Sequence, residues 1–355
     1  MKRILVYGMT ENNGGIESYV MNYYRHINKD LLQFDFVTDH PSIAYSEEIK
    51  ALGGEVYFIP SRRGNLLKHI VDFKKIIARG KYDVVYLNLL SASGVFSVFA
   101  AKLAGAKTVV HSHNDSVGNL KVHNFLRPML NFCTDKRLSC SADAGTFMFG
   151  NKECKVINNA IDTTILKFDE DLRNSTRESF GFKENDFVVG HVGRMCYQKN
   201  SLFVIDVFSE LLKINPSAKL LFVGMGEDYD AVLEKVNELN LSSSIVLAGM
   251  RSDMQAIYSA MDVFLLPSRF EGWGMVAVEA QAFGLPCVVS DRVKPEVNIT
   301  GLMTYLSLDL PTSDWAKKLT DVSRPIDNVS KKIIDSNFDI STEALKLQEY
   351  FLNEI

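Results

Sequence analysis

Along the first 160 residues, short runs rich in β-branched and aromatic residues alternate with longer segments whose apolar positions recur at helical spacing. The strand-like runs are KRILVYGM, FDFVTD, EVYFIP, DVVYLNL, KTVVHSH, RLSCS and KVINNA, separated by segments such as IESYVMNYYRHI and LLKHIVDFKKIIARG. This alternation predicts βαβ units and a parallel sheet covered by helices on both faces. Near residue 160 the pattern pauses in the polar stretch DTTILKFDEDLRNSTRESFGFKEND, which reads as a domain junction.

The alternation then restarts with FVVGHVGR and continues through NSLFVIDVFSELLKI, AKLLFVG, AVLEKVNEL, SIVLAGM, DVFLLPS, EGWGMVAVEAQAFG and LPCVVSD. Two doubly wound α/β domains in tandem are the economical reading. The final residues, STEALKLQEYFLNEI, have a helical apolar period with no strand beside them, so they must pack on existing surface. Open parallel sheets bind ligands beyond the carboxyl ends of their strands, and two such sheets facing each other would enclose one cleft. The chemistry is therefore expected just after strands.

A length of 355 residues agrees with two domains rather than one. With 46% hydrophobic and 23% charged residues and nine prolines, the composition excludes a disordered chain, a collagenous repeat and a disulfide scaffold. No apolar run reaches the roughly 18–20 residues of a membrane span, and MKRILVYGMT enters a strand instead of a signal peptide, so a cytoplasmic protein is expected. Five scattered cysteines without C-x-x-C spacing imply reduced thiols, neither a disulfide set nor a zinc site. The net charge of −4 conceals an asymmetry: residues 1–160 hold 20 Lys and Arg against 14 Asp and Glu, and residues 161–355 hold 19 against 29.

Four strand ends carry candidate chemistry. In Asn12-Asn13-Gly14-Gly15-Ile16-Glu17, paired glycines before a helix let backbone amides approach an anion, although a tight βα turn also needs glycine. The pattern is not G-x-G-x-x-G, which argues against a dinucleotide site. In His111-Ser112-His113, alternation puts both imidazoles on one face, with His113 the candidate to face substrate and His111 equally readable as a structural histidine. No third ligand at a recognisable spacing supports a metal there. In GR-x4-KN, Arg194 and Lys199 bring two fixed positive charges to a strand end, which suits a diphosphate, though a surface salt-bridged pair would look the same. In the fourth, Glu271 and Glu279 straddle Gly272, Gly274 and a helix start whose amides near Gly274, Met275 and Val276 form an anion site. Glu279 lies on a largely apolar helix and needs a hydrogen-bond donor, a role ribose hydroxyls would fill.

With GGIE, HSHN, GR-x4-KN and E-x7-E in order from residue 14 to 279, the sequence resembles the retaining GT-B glycosyltransferases of family 4, particularly bacterial members that build exopolysaccharide or capsule. The resemblance spans nearly the whole chain. It implies two facing Rossmann-like domains: an acceptor domain, 1–160, rejoined by a final helix at about 338–355, and a nucleotide-sugar donor domain, 161–337. It implies that Arg194 and Lys199 clamp the diphosphate of a nucleotide sugar, commonly a UDP-sugar. Glu279 would bind the ribose, Glu271 the donor hexose, and the amides of Gly274, Met275 and Val276 the phosphate and sugar. Gly14 and Gly15 would close on the diphosphate, His113 would contact the donor sugar, and Met250 and Arg251 would sit at the base. The implied reaction is front-face hexosyl transfer to a saccharide or lipid-linked acceptor, with no metal cofactor and no nucleic-acid partner. Where the family often has a histidine, this chain reads Tyr86-Leu87-Asn88, which puts an acceptor-side contact in question.

The strings Asp228-Tyr229-Asp230 and Asp169-Glu170-Asp171 match the D-x-D of metal-dependent transferases but fall at a helix start and in the junction, and read as solvated segments. Arg62 to Lys81 reads as a basic amphipathic helix, either an ordinary solvated helix or one that contacts anionic membrane at the inner face of the plasma membrane. A nonhydrolysing nucleotide-sugar epimerase and a two-domain α/β ligand-binding protein share the architecture. GR-x4-KN combined with E-x7-E is not expected of the first, and the second is normally exported.

Overall fold

The computed structural model describes residues 1–12, 14–324 and 329–355. Asn13 of the first glycine loop lies outside the described residues. The chain divides into two compact units, residues 1–160 with 337–355, and residues 161–336.

Unit 1 runs β1 (Lys2–Tyr7), α1 (Gly15–His26), β2 (Leu32–Thr38), α2 (Ser46–Ala51), β3 (Val56–Phe58), α3 (Leu66–Gly80), β4 (Val84–Leu89), α4 (Val95–Leu103), β5 (Lys107–Ser112), α5 (Leu120–Cys133), β6 (Lys136–Ser139), α6 (Ala142–Phe149) and β7 (Lys155–Val156). Its sheet has the order β3-β2-β1-β4-β5-β6-β7, every pairing parallel. Alternate residues face opposite sides, so Ile4, Phe34, Tyr86 and Val109 enter one core while Leu5, Val37, Leu87 and Val110 enter the other.

Unit 2 runs α7 (Glu170–Ser179), β8 (Phe187–Val192), α8 (Ser201–Ile214), β9 (Ala218–Val223), α9 (Tyr229–Glu238), β10 (Ile245–Gly249), α10 (Met254–Ala260), β11 (Val263–Leu266), α11 (Met275–Ala282), β12 (Cys287–Ser290), β13 (Met303–Leu306), α12 (Thr312–Thr320) and α13 (Val329–Asp335). Its parallel sheet has the order β10-β9-β8-β11-β12-β13. The last helix, α14 (Ile340–Glu349), continues as a π turn over Tyr350–Glu354 and belongs to unit 1, where Ile340, Ala344, Leu347 and Phe351 join the core beneath α1.

The units divide at the start of the polar stretch after residue 160, where the sequence predicts a junction, and that stretch also contains α7, which packs on α10. Arg177 on α7 is buried and donates to the carbonyls of Ala260, Lys183 and Glu184, so a charged residue provides this helix's inward face. Asp169 accepts from the Leu172 amide as the cap of α7, which gives the acidic string there a structural task. The basic helix α3 spends its apolar side on the core: Phe73 and Ile77 are buried, Ile70 and Ile76 pack partly beneath, and Leu67 and Val71 are left exposed.

In each sheet the strand order reverses once, between β1 and β4 in unit 1 and between β8 and β11 in unit 2. The loops leaving adjacent strands part at these points, which opens a crevice beyond the strand ends.

Candidate functional site

At the reversal in unit 2, the loops after β8 and β11 are tied together. Arg269 N donates to Gln198 O, and Asn200, in the left-handed region at φ 58°, donates through Nδ2 to Pro267 O. This brings Lys199 against Glu271, with Nζ 2.6 Å from Oε1 and both side chains largely buried. Ser268 Oγ donates to the same Oε1 at 2.6 Å, and Ser268 is itself held through its carbonyl by Ser290 Oγ. One carboxylate oxygen thus receives two donors. Arg194 stands at the rim, mostly exposed, 3.0 Å from Glu227. His191, two residues after Val189 on β8, is a sheet residue: it is buried and bonded to Leu265 O, and burial lowers its pKa to about 4.

Gly274 enters α11 at φ 79°, a conformation that L side chains resist. The amides that follow, at Met275 and Val276, belong to the first turn and have no carbonyl of their own helix to bond. Glu279 lies further along the helix. Its Oε2 accepts from Tyr258 Oη at 2.8 Å, so the donor the sequence demanded is provided by α10. Burial raises the Glu279 pKa against the opposing effect of Tyr258. Met250 is exposed beyond β10, and Arg251 forks onto Asp253 at 2.8 and 2.5 Å. Both therefore lie in the loop that leaves the edge strand β10, two strands from β8 at the reversal.

In unit 1, Gly14 precedes α1, and a Cβ there would meet the Glu17 carboxylate at 2.7 Å, whereas Gly15 has open space around it. Glu17 is buried and its Oε1 accepts from both the amide and hydroxyl of Thr10, at 2.7 and 2.8 Å. The helix thereby fixes the loop that leaves β1.

The imidazoles of His111 and His113 stack with centroids 4.2 Å apart, and Tyr19 meets both edge-on. His111 is fully buried, with Nδ1 against Tyr86 Oη, which contacts Tyr19 Oη in turn. His113 is partly exposed, and its Nε2 lies 2.8 Å from Asn88 Oδ1. The Asn88 amide nitrogen points at Tyr7 O, so the oxygen faces the histidine and the proton sits on Nε2. Nδ1 is left as the acceptor. Burial lowers the His113 pKa to about 3, so the ring is neutral at ordinary pH. Asn88 belongs to the Tyr86-Leu87-Asn88 strand end, and its role beside His113 was not visible in the sequence.

Asn88 also lines a cavity of 260 Å³ at the β1/β4 reversal, bounded by Tyr7, Gly8, Asp39, Arg62 and Ser91 among others. Asp39 accepts from Tyr7 Oη at 3.0 Å and lies 3.4 Å from Arg62 Nε, while Arg62 donates to Ser93 O. A Cβ on Gly8, at φ 116°, would fall 2.1 Å from Asn88 O, so glycine is what allows β1 to pass this close to β4.

Comparison with known proteins gives the same assignment across both units. Residues 13–165 match the family described as Glycosyltransferase Family 4, and residues 186–323 match Glycosyl transferases group 1. The chain is 32% identical over 335 residues to the putative glycosyltransferase EpsF of Bacillus subtilis, covering 90% of this chain and 87% of that protein. It is 30% identical to the Escherichia coli UDP-Gal:alpha-D-GlcNAc-diphosphoundecaprenol alpha-1,3-galactosyltransferase over 66% of each chain. The solved structure of HepE from Anabaena in complex with UDP superposes with a TM-score of 0.81 over 99% of both chains at 20% identity, which establishes the shared GT-B fold. The two sheets, the strand-end residues and these likenesses place the chain in family 4 of the glycosyltransferases, and it is a glycosyltransferase.

Proposed function

We propose that the protein is a retaining hexosyltransferase that uses a nucleotide-diphosphate sugar, of the UDP class, and a saccharide or lipid-linked acceptor in bacterial surface polysaccharide synthesis. The observation that carries this reading is the Lys199–Glu271 pair beside the start of α11, which sets a positive charge, a carboxylate and free amides at one strand reversal. The names of relatives support it: the Escherichia coli protein uses UDP-Gal and a diphosphoundecaprenol acceptor, and a Staphylococcus aureus relative is a capsular polysaccharide glycosyltransferase.

In the reaction, the bond between the anomeric carbon and the diphosphate oxygen breaks, and a new bond forms from that carbon to the acceptor hydroxyl oxygen. The hydroxyl proton passes to the leaving diphosphate on the same face, which preserves configuration. Negative charge grows on the leaving oxygen. Lys199, Arg194 and the amides of Gly274, Met275 and Val276 stabilise it more in the transition state than in the ground state. Glu271 orients the hexose hydroxyls, Glu279 the ribose, and Met250 and Arg251 the base. Gly14, Gly15 and His113 serve the diphosphate and sugar, and the reaction uses no metal. The polar cavity bounded by Asp39 and Arg62 takes the acceptor saccharide.

A thermal-shift screen of UDP-, GDP- and ADP-sugars identifies the donor, because a ligand at 100 times its dissociation constant adds about 2.7 kcal/mol of stability. Product analysis then tests the chemistry. Release of free nucleoside diphosphate with a glycoside of unchanged anomeric configuration supports the reading, and interconversion of the donor without acceptor would replace it with an epimerase.

A further inference from the structure

The most exposed aromatic side chains of unit 1 lie on α5, a helix outside the strand-end chemistry. Phe125 and Phe132 are 83% and 89% exposed, and with Val122 and Met129 they form one stripe at spacings of three, four and three residues. The helix cannot turn this stripe inward. Its opposite side is fixed by buried Leu130 and Cys133 and by His123, which accepts from the Ala92 amide at Nδ1 and bonds Phe147 O at Nε2. Contiguous apolar surface that a fold holds outward in this way marks an interaction site.

The charges around the stripe identify the partner. Helices α3, α4 and α5 lie side by side on one face of the sheet. Lys121 and Arg127 on α5 and four cations on α3 stand against a single acidic residue in these three helices, Asp72, which pairs with Lys75, while Lys102 on α4 pairs with Asp135. Beside the stripe is a shallow depression of 300 Å³ lined by Arg127, Pro128, Asn131, Phe149 and Lys152. Asn131 is occupied, with Oδ1 accepting from Arg137 and Nδ2 donating to Phe149 O. Among the described residues, Lys121, Arg127 and Lys152 pair with no carboxylate. Protein interfaces are depleted in lysine, whereas exposed phenylalanines rimmed by unpaired Lys and Arg suit the boundary of an anionic bilayer. No helix among the described residues is long and apolar enough to cross a membrane, so such a contact lies along the surface.

We infer that α5 is a membrane-docking helix: Phe125 and Phe132 enter the interfacial layer of an anionic bilayer, and Arg127 and Lys152 receive a lipid phosphate in the adjoining depression. This relocates the contact from α3, whose apolar side is used by the core, and leaves α3 as a basic flank. The inference does not rest on the proposed donor or acceptor.

The test is flotation of the full chain with vesicles of phosphatidylcholine, alone or with phosphatidylglycerol added, at low and high salt. Binding is expected only to the anionic vesicles and should weaken with salt. Phe125→Ser with Phe132→Ser should lower it at least about tenfold, and Arg127→Gln with Lys152→Gln should reduce both binding and its salt dependence. Circular dichroism and turnover of a soluble donor in detergent-free buffer report that the variants remain folded. Independently of those variants, Phe125→Trp should blue-shift its emission on anionic vesicles. No vesicle binding, equal binding to neutral vesicles, or unchanged binding in the phenylalanine variants would overturn the inference. So would loss of a dimer in those variants without any lipid binding, which would make the stripe a contact between copies.

Discussion

Lys199 and Glu271 form a nearly buried ion pair at 2.6 Å between two loops that the chain separates by 72 residues. Each neutralises the other before any ligand arrives. Removing Lys199 leaves a desolvated carboxylate with Ser268 as its remaining donor. Lys199→Ala should therefore destabilise the protein by about 3 kcal/mol, and adding Glu271→Ala should recover part of that loss. Thermal unfolding of the two single variants and the double variant measures the coupling. Nucleoside diphosphate release should fall about 10²–10³-fold in either single variant, and unchanged release would remove the basis for the transfer mechanism.

Tyr258 supplies Glu279 with its protein hydrogen bond. In Tyr258→Phe the carboxyl keeps its burial and loses the group that lowers its pKa, so that pKa rises further. The ionised form needed to accept ribose hydroxyls is then lost at a higher pH as acidity increases. Donor KM should rise about tenfold with kcat nearly unchanged, and the rise should be steeper on the acid side than in the parent enzyme. A pH series of initial rates checks both.

Asn88 determines which nitrogen of His113 carries the proton. Asn88→Ala frees the ring to take either tautomer, and kcat should drop about tenfold while the melting temperature changes little. Asn88→Asp places a carboxylate against Nε2 and should raise the His113 pKa from about 3, which heteronuclear NMR of the imidazole reads directly.

The neutral histidines also give stability a pH dependence. His113 and His191 have folded pKa values of about 3 and 4, against an ordinary value of about 6.5 in the unfolded chain, and His111 is likewise lowered by burial. Between those values the unfolded state binds more protons. Their contribution is complete above about pH 6.5 and declines as the pH falls toward 4, by up to about 1.4 kcal/mol per pH unit for each ring. Denaturant unfolding at several pH values should show this slope, reduced by His191→Gln.

The alternation of apolar runs was enough to read most strands and the central helices, because buried parallel strands are short, β-rich and bounded by turns. Helix α4 was harder: VFSVFAAKL is apolar on nearly every side, which removes the period that marks a helix. α7 was hidden for the opposite reason, since Arg177 and Thr176 make its inward face and read as solvent-facing. Motifs at strand ends located Arg194, Lys199, Glu271 and Glu279 along the chain. Their partners were not legible, because Lys199 against Glu271, Tyr258 against Glu279 and Asn88 against His113 meet only after separate elements align. The side of the basic α3 that is used by the core likewise depends on neighbours that the local sequence does not name.

The position of α14 bears on how the chain is made. Lys2 Nζ donates to Phe351 O, and the Asn28 amide donates to Gln348 Oε1, across separations of 349 and 320 residues. During synthesis, the core of residues 1–160 around Phe34 and Tyr86 stays incompletely covered until residues 337–355 leave the ribosome. Unit 2, continuous in sequence, has no such dependence and is finished earlier. The first unit translated is therefore the last to mature, and chains stalled before residue 337 should be the ones that engage chaperones or aggregate.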